Sequence, residues 1–129
     1  MREALSRVDV RTAEIIACHL AIESELDRLL AEVIPHPEHL RRLGFGHKVG
    51  VLRACFDHDL LEMSADAFGD LEDLRNAIAH PRDKKQVRGA WRKLCGRLRV
   101  DPETASVAGV ANVLTNFLVM LGKELTPIS

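Results

Sequence analysis

The sequence predicts an all-α fold, a helical bundle of four main helices plus one or two short ones. Three observations predict it. Aromatic residues make up only 4% of the chain, with no Tyr, while Leu, Ala, Arg and Glu abound. Sheets favour aromatic and β-branched side chains, and helices favour the set found here. Apolar residues recur at steps of three and four along several segments, and no stretch shows the strict alternation of a half-buried strand.

The elements follow in order. Ile15, His19, Ile22, Leu26, Leu29 and Val33 form one stripe, flanked by Ile16, Leu20 and Leu30. This predicts a long amphipathic helix from about residue 5, stopped by Pro35 and Pro37. A turn leads into a short helix over 37–43. Gly44 then suits a helix C-cap and Gly46 a helix start. A helix is expected over 47–61, with Val49, Leu52, Phe56 and Leu60 on one face. Another is expected from 64 or 65 to 80, carrying Ala67, Leu71, Leu74 and Ile78, and ended by Pro81. A short helix over 87–98 turns Trp91, Leu94 and Leu98 inward. Asp101-Pro102-Glu103 reads as a helix start: an acid at the cap, proline first, then an acid in the first turn. The last helix, over 102–124, carries Val107, Val110, Leu114, Phe117 and Leu121. Val113, Leu118, Val119 and Met120 widen its apolar face until it nearly encircles the helix. Such a helix is central to a bundle or shared with a second chain, so a homodimer is expected.

The chain of 129 residues predicts a single domain over 1–129. Its parts are a motif region over 17–81, a basic segment over 82–99 and the apolar helix. No window predicts a membrane span or a secretion signal, and three widely spaced cysteines predict reduced thiols. A cytoplasmic location without membrane contact is therefore expected. Cys95, among Arg92, Lys93 and Arg97, is either a thiol of lowered pKa or a small buried apolar residue. The formal net charge of −1 hides an asymmetry. Residues 82–99 hold eight bases against one acid, and the rest of the chain holds eighteen acids against ten bases. The basic run is either a solvated helix face or a surface for nucleic-acid phosphates, and Lys84, Lys85, Arg88 and Arg92 are the candidate RNA contacts. With Trp91 alone to stack, such contacts read phosphate charge more than bases.

The densest polar motif is Leu71-Glu72-Asp73-Leu74-Arg75-Asn76-Ala77-Ile78-Ala79-His80-Pro81. Leu74 and Ile78 face the core, which leaves Arg75, Asn76 and His80 on the other side of a helix end. Helix C-termini favour a cationic imidazole, so His80 is suited to proton transfer near neutral pH. Arg75 can hold a phosphate by two hydrogen bonds, and Asn76 can fix its orientation. Such a site needs no metal or other cofactor, and none is expected.

Arg75, Asn76 and His80 resemble the motif of the HEPN superfamily. Three stretches occur in the order seen in many HEPN-like and mannitol-repressor-like chains. They are Ile22-Glu23-Ser24-Glu25-Leu26-Asp27-Arg28-Leu29-Leu30, Leu43-Gly44-Phe45-Gly46-His47-Lys48-Val49, and Leu74 to His80. The resemblance implies a four- to five-helix bundle, commonly dimeric. Its active members are metal-independent endoribonucleases, often toxins paired with an antitoxin, whose Arg and His from two protomers line one cleft. On this basis His80 would be the acid or base, Arg75 would stabilise the phosphorane, and Asn76 would orient the phosphate or His80. Other members are non-catalytic and serve in transcription regulation or as protein-interaction modules, so a regulatory partner is the alternative to RNA.

Bland readings stand beside these. Arg75, Asn76 and His80 can cap their helix and pair with Glu23 or Glu72. Glu23 can otherwise reach the polar side of the motif helix and support it. His19, on an apolar stripe, is expected to be a hydrogen-bonded core residue. His36 and His39 are expected as exposed imidazoles in a turn rather than metal ligands. His47 and Lys48 sit in a first helical turn, where positive charge is disfavoured.

Overall fold

A computed structural model describes residues 2–79 and 84–125. Among them, all regular structure is helical, as expected. The first helix, α1 (Arg2–Val33), stops where Pro35 withdraws a backbone donor, and Ile34 N–H closes its last turn on Leu30 C=O. A single 3-10 turn, Pro37–Leu40, stands where a longer short helix was expected.

The next boundaries differ from the expectation. The second helix, α2 (Phe45–Cys55), starts directly after Gly44. Gly44 has φ −68° and ψ 167° and is the N-cap of α2, not a C-cap of what precedes. α2 ends early, because Phe56 turns extended (φ −133°, ψ 140°). The third helix, α3 (Asp59–Ala79), therefore begins about five residues sooner than predicted. His58 makes this break: its Nδ1 accepts the Leu60 N–H at 3.1 Å, which satisfies a donor that a helix start leaves free.

The fourth helix, α4 (Lys84–Arg97), ends in a Schellman turn. Val100 N–H donates to Cys95 C=O and Arg99 N–H to Gly96 C=O, with Arg99 left-handed at φ 59°. The Asp101-Pro102-Glu103 signal is used for a turn rather than a helix. Asp101 Oδ1 accepts the Glu103 N–H, and the Trp91 indole donates to Pro102 C=O at 3.0 Å. The last helix, α5 (Val107–Leu125), starts five residues later than expected. Ser106 caps it by accepting the Gly109 N–H at 2.9 Å.

α5 lies along α1, and α4 and α2 lie on α3. One core joins them. Ile22, Leu26 and Leu30 come from α1, Leu52 from α2, Phe68, Leu71 and Leu74 from α3, Trp91 and Leu94 from α4, and Leu114 and Leu121 from α5. Each large apolar side chain so buried contributes about 2 kcal/mol. α5 buries Val107, Val110, Leu114, Leu118, Leu121 and Leu125 within this one chain. Of the large apolar side chains of α5, Val119 and Met120 remain about half exposed. Among the described residues, no helix is long and apolar enough to cross a membrane.

Candidate functional site

The last turns of α3 carry the motif. Leu74 is fully buried and Ile78 is half-buried, so their phase fixes that of their neighbours. Arg75 and Asn76 are exposed as a result. His80 lies outside the described residues, as does the side chain of Lys84.

Arg75 makes no ion pair within 4 Å with Glu23, Glu72 or any other acid among the described residues. The structural role open to it in the sequence, pairing with those two acids, is not the one it plays. Glu72 instead turns toward the start of α2, where a Cβ added to Gly46 would come within 2.8 Å of its Oε2. The first turn of α2 has free backbone donors, so a carboxylate is favourable there.

Glu23 lies beside His19 on α1. Its carboxylate Oε2 lies 3.8 Å from His19 Nδ1, one helical turn along α1. His19 is 2% exposed, and neither ring nitrogen has a hydrogen-bond partner. Its burial agrees with the sequence expectation, and its expected hydrogen bond does not form. The Phe45 ring lies over it at 4.9 Å between centroids. Burial pushes the imidazole below its ordinary range, the Arg75 guanidinium pushes it the same way, and the Glu23 carboxylate opposes both. The neutral imidazole is thus favoured near pH 7. The sequence carried a signal for this pair, since His19 and Glu23 are four residues apart, but the influence of Arg75 is tertiary.

The basic segment divides into two parts. Lys93 and Arg97 both pair with Asp70, which is 4% exposed on α3, and Arg97 also reaches Asp66 at 3.7 Å. Arg92, one of the four candidate RNA contacts, pairs with Glu103 at 3.2 Å. These three neutralise acids of their own chain. Lys85 and Arg88 are exposed on the first turns of α4, closest in sequence to the motif.

The remaining candidates take plain roles. Cys95 is fully buried, and burial pushes the Cys18 thiol up to about 11, so neither is an activated nucleophile. His36 and His39 are exposed beside Glu38, and no group of three or more metal-ligating side chains converges among the described residues. Lys48 is buried and its Nζ lies 2.8 Å from Asp27. A shallow groove of about 330 Å³ runs between α1 and α5, past Glu25, Arg28, Glu32 and Lys123, and it shares no residue with the Arg75 cluster. No protein family, curated protein or solved structure matches this chain.

Proposed function

We propose that this chain is a HEPN-like domain that cleaves RNA phosphodiesters without a metal ion, as a cytoplasmic ribonuclease of toxin or defence type. One observation carries the proposal. Arg75 stands exposed at the end of α3, and no ion pair to an acid is found for it among the described residues. A guanidinium left unpaired in this way is suited to grip a phosphate with two parallel hydrogen bonds.

In the proposed reaction His80 takes the proton from an RNA 2′-hydroxyl. The 2′-oxygen bonds to the adjacent phosphorus, and the bond from phosphorus to the 5′-oxygen breaks. A second imidazole, His80 of a second copy, returns a proton to the leaving 5′-oxygen. The products are a 2′,3′-cyclic phosphate and a 5′-hydroxyl. Arg75 stabilises the charge that grows on the phosphorane, and Asn76 orients the phosphate. Lys84, Lys85 and Arg88 are the proposed contacts for the RNA backbone, and Arg92, the fourth candidate, pairs with Glu103.

The test is cleavage of end-labelled RNA in EDTA. Arg75→Ala and His80→Ala should each lower the rate by about 100-fold or more, with helical content unchanged. Full activity in His80→Ala overturns the catalytic assignment. Sedimentation should show a homodimer at micromolar concentration, and a monomer would remove the second imidazole.

A second function is favoured by a specific observation. Arg92, Lys93 and Arg97 are committed to Glu103, Asp66 and Asp70, so much of the basic helix serves the fold. A non-catalytic regulatory or protein-interaction module, similar to the mannitol-repressor-like chains, needs no more than this. It would bind a protein partner and leave RNA uncut, and His80→Ala would be silent.

A further inference from the structure

His58 sits at the break between α2 and α3, and both of its ring nitrogens meet other parts of the chain. Nδ1 accepts the Leu60 N–H at 3.1 Å. Nε2 lies 3.5 Å from the carboxylate of Glu124, in the last turn of α5. Accepting the Leu60 bond takes a lone pair on Nδ1, so the ring that caps α3 is neutral and carries its proton on Nε2, toward Glu124. The commoner caps Ser, Thr and Asn accept at any pH, and a histidine cap does not. The side chain is 33% exposed, so solvent protons reach it.

We propose that His58 is a proton-operated latch at this corner: the neutral ring holds both α3 and α5, and the protonated ring keeps α5 and releases the first turn of α3. A proton on Nδ1 turns the acceptor into a donor, which then faces another donor, the Leu60 N–H. The added charge also lies at the positive end of the α3 dipole. On the other edge of the ring the same charge strengthens the contact with Glu124. Its 3.5 Å separation is long for a hydrogen bond and shortens when the bond is charge-assisted. Charged groups reach the corner from each element that meets there. Glu124 is on α5, Asp57 precedes the ring, Asp59 and Glu62 lie in the first turn of α3, and Arg53 on α2 pairs with Glu62 at 2.7 Å. The opening is confined. Leu61 is fully buried, and the Arg53–Glu62 pair spans the corner without using His58. Release therefore frees the Leu60 N–H and leaves the body of α3 in place. The latch lies at the opposite end of α3 from Arg75, so it stands whether or not Arg75 holds a phosphate.

The test is an NMR titration of the full chain from about pH 8 to about pH 5, following the His58 ring and the Leu60 amide together. The Leu60 amide should shift with the same midpoint as the ring. Its protection from hydrogen exchange, corrected for the intrinsic effect of pH, should fall by about fivefold on the acid side, the worth of one helix cap. Cross-relaxation between the ring and the Glu124 methylenes should persist throughout. His58→Asn keeps a capping acceptor and removes the titrating group, so its Leu60 amide should stay protected and unshifted over the same range.

A Leu60 amide that stays still while the ring takes its proton overturns the release. A Leu60 shift that appears equally in His58→Asn assigns the change to another group and overturns it as well. Loss of the Glu124 contact on protonation overturns the hold on α5. If the asparagine variant does not fold, the ring and the amide of the wild-type chain decide the matter: a shared midpoint supports the latch, and separate midpoints overturn it.

Discussion

Lys48 Nζ lies 2.8 Å from the Asp27 carboxylate, and the two ends of this pair are in different environments. The lysine side chain is 5% exposed and the aspartate 53%. Burial and the positive end of the α2 dipole both disfavour the ammonium. Asp27 offsets them, so the two partners are not equivalent. Asp27→Asn should cost about 1–3 kcal/mol, because it strands a buried charge. Lys48→Met should cost less than about 1 kcal/mol, since it keeps the packed stem and removes the charge. Adding Lys48→Met to Asp27→Asn should recover most of the loss. Urea unfolding checks the order, and equal costs for the two single variants would contradict it.

Arg99 closes α4 in a conformation that a side chain disfavours, with φ 59°. Arg99→Gly should relieve that strain, and Arg99→Ala should not. The alanine variant isolates the loss of a charge near the helix end. Glycine should exceed alanine in stability by about 1 kcal/mol, less the extra entropy of its unfolded chain. Thermal unfolding of the two variants side by side measures the difference, and equal midpoints would sink the strain argument.

Two glycines of α2 should respond differently to the same change. A Cβ on Gly50 meets nothing within 4 Å, so Gly50→Ala should stabilise by about 0.5–1 kcal/mol. A Cβ on Gly46 would come within 2.8 Å of Glu72 Oε2, and the carboxylate would have to leave the start of the helix. Gly46→Ala should therefore gain little or nothing. In a Glu72→Ala background that obstacle is gone, and Gly46→Ala should then approach the Gly50→Ala gain. A double-mutant cycle in urea reads the coupling, and additivity would mean that the close approach carries no energy.

These effects lie where the sequence is least legible. The helical class and the inward faces of α1, α3 and α5 were readable, because burial follows a 3.6-residue period. The break between α2 and α3 was not. Val49, Leu52, Phe56 and Leu60 keep helical spacing straight through it, and the cap is a histidine, His58, rather than a residue of the usual set. The start of α5 was misplaced for the opposite reason. Asp101 and Pro102 carry strong capping chemistry, yet the Trp91 indole, eleven residues back, holds the Pro102 carbonyl in a turn. At the candidate site, the exposure of Arg75 and Asn76 followed from the phase of Leu74. The missing partner of His19 did not, because hydrogen-bond satisfaction depends on what other elements bring.

His19 also predicts how stability responds to acid. Its midpoint is lowered in the folded chain by burial first and by Arg75 second, against an ordinary value of 6.5 in the unfolded chain. Between the two midpoints the unfolded chain binds more protons, so folding weakens as pH falls. The His19 contribution is fully present above about pH 6.5 and is lost as pH falls from there to the lowered midpoint. His19→Met fills much of the same space without a titrating group. The stability difference between wild type and His19→Met should therefore be flat from pH 8 to 7 and should shift in favour of the variant from pH 6.5 downward. Chemical unfolding at half-unit intervals measures it. A difference independent of pH would show that His19 carries the same charge in both states, and a shift of opposite sign would show that Glu23 outweighs both burial and Arg75.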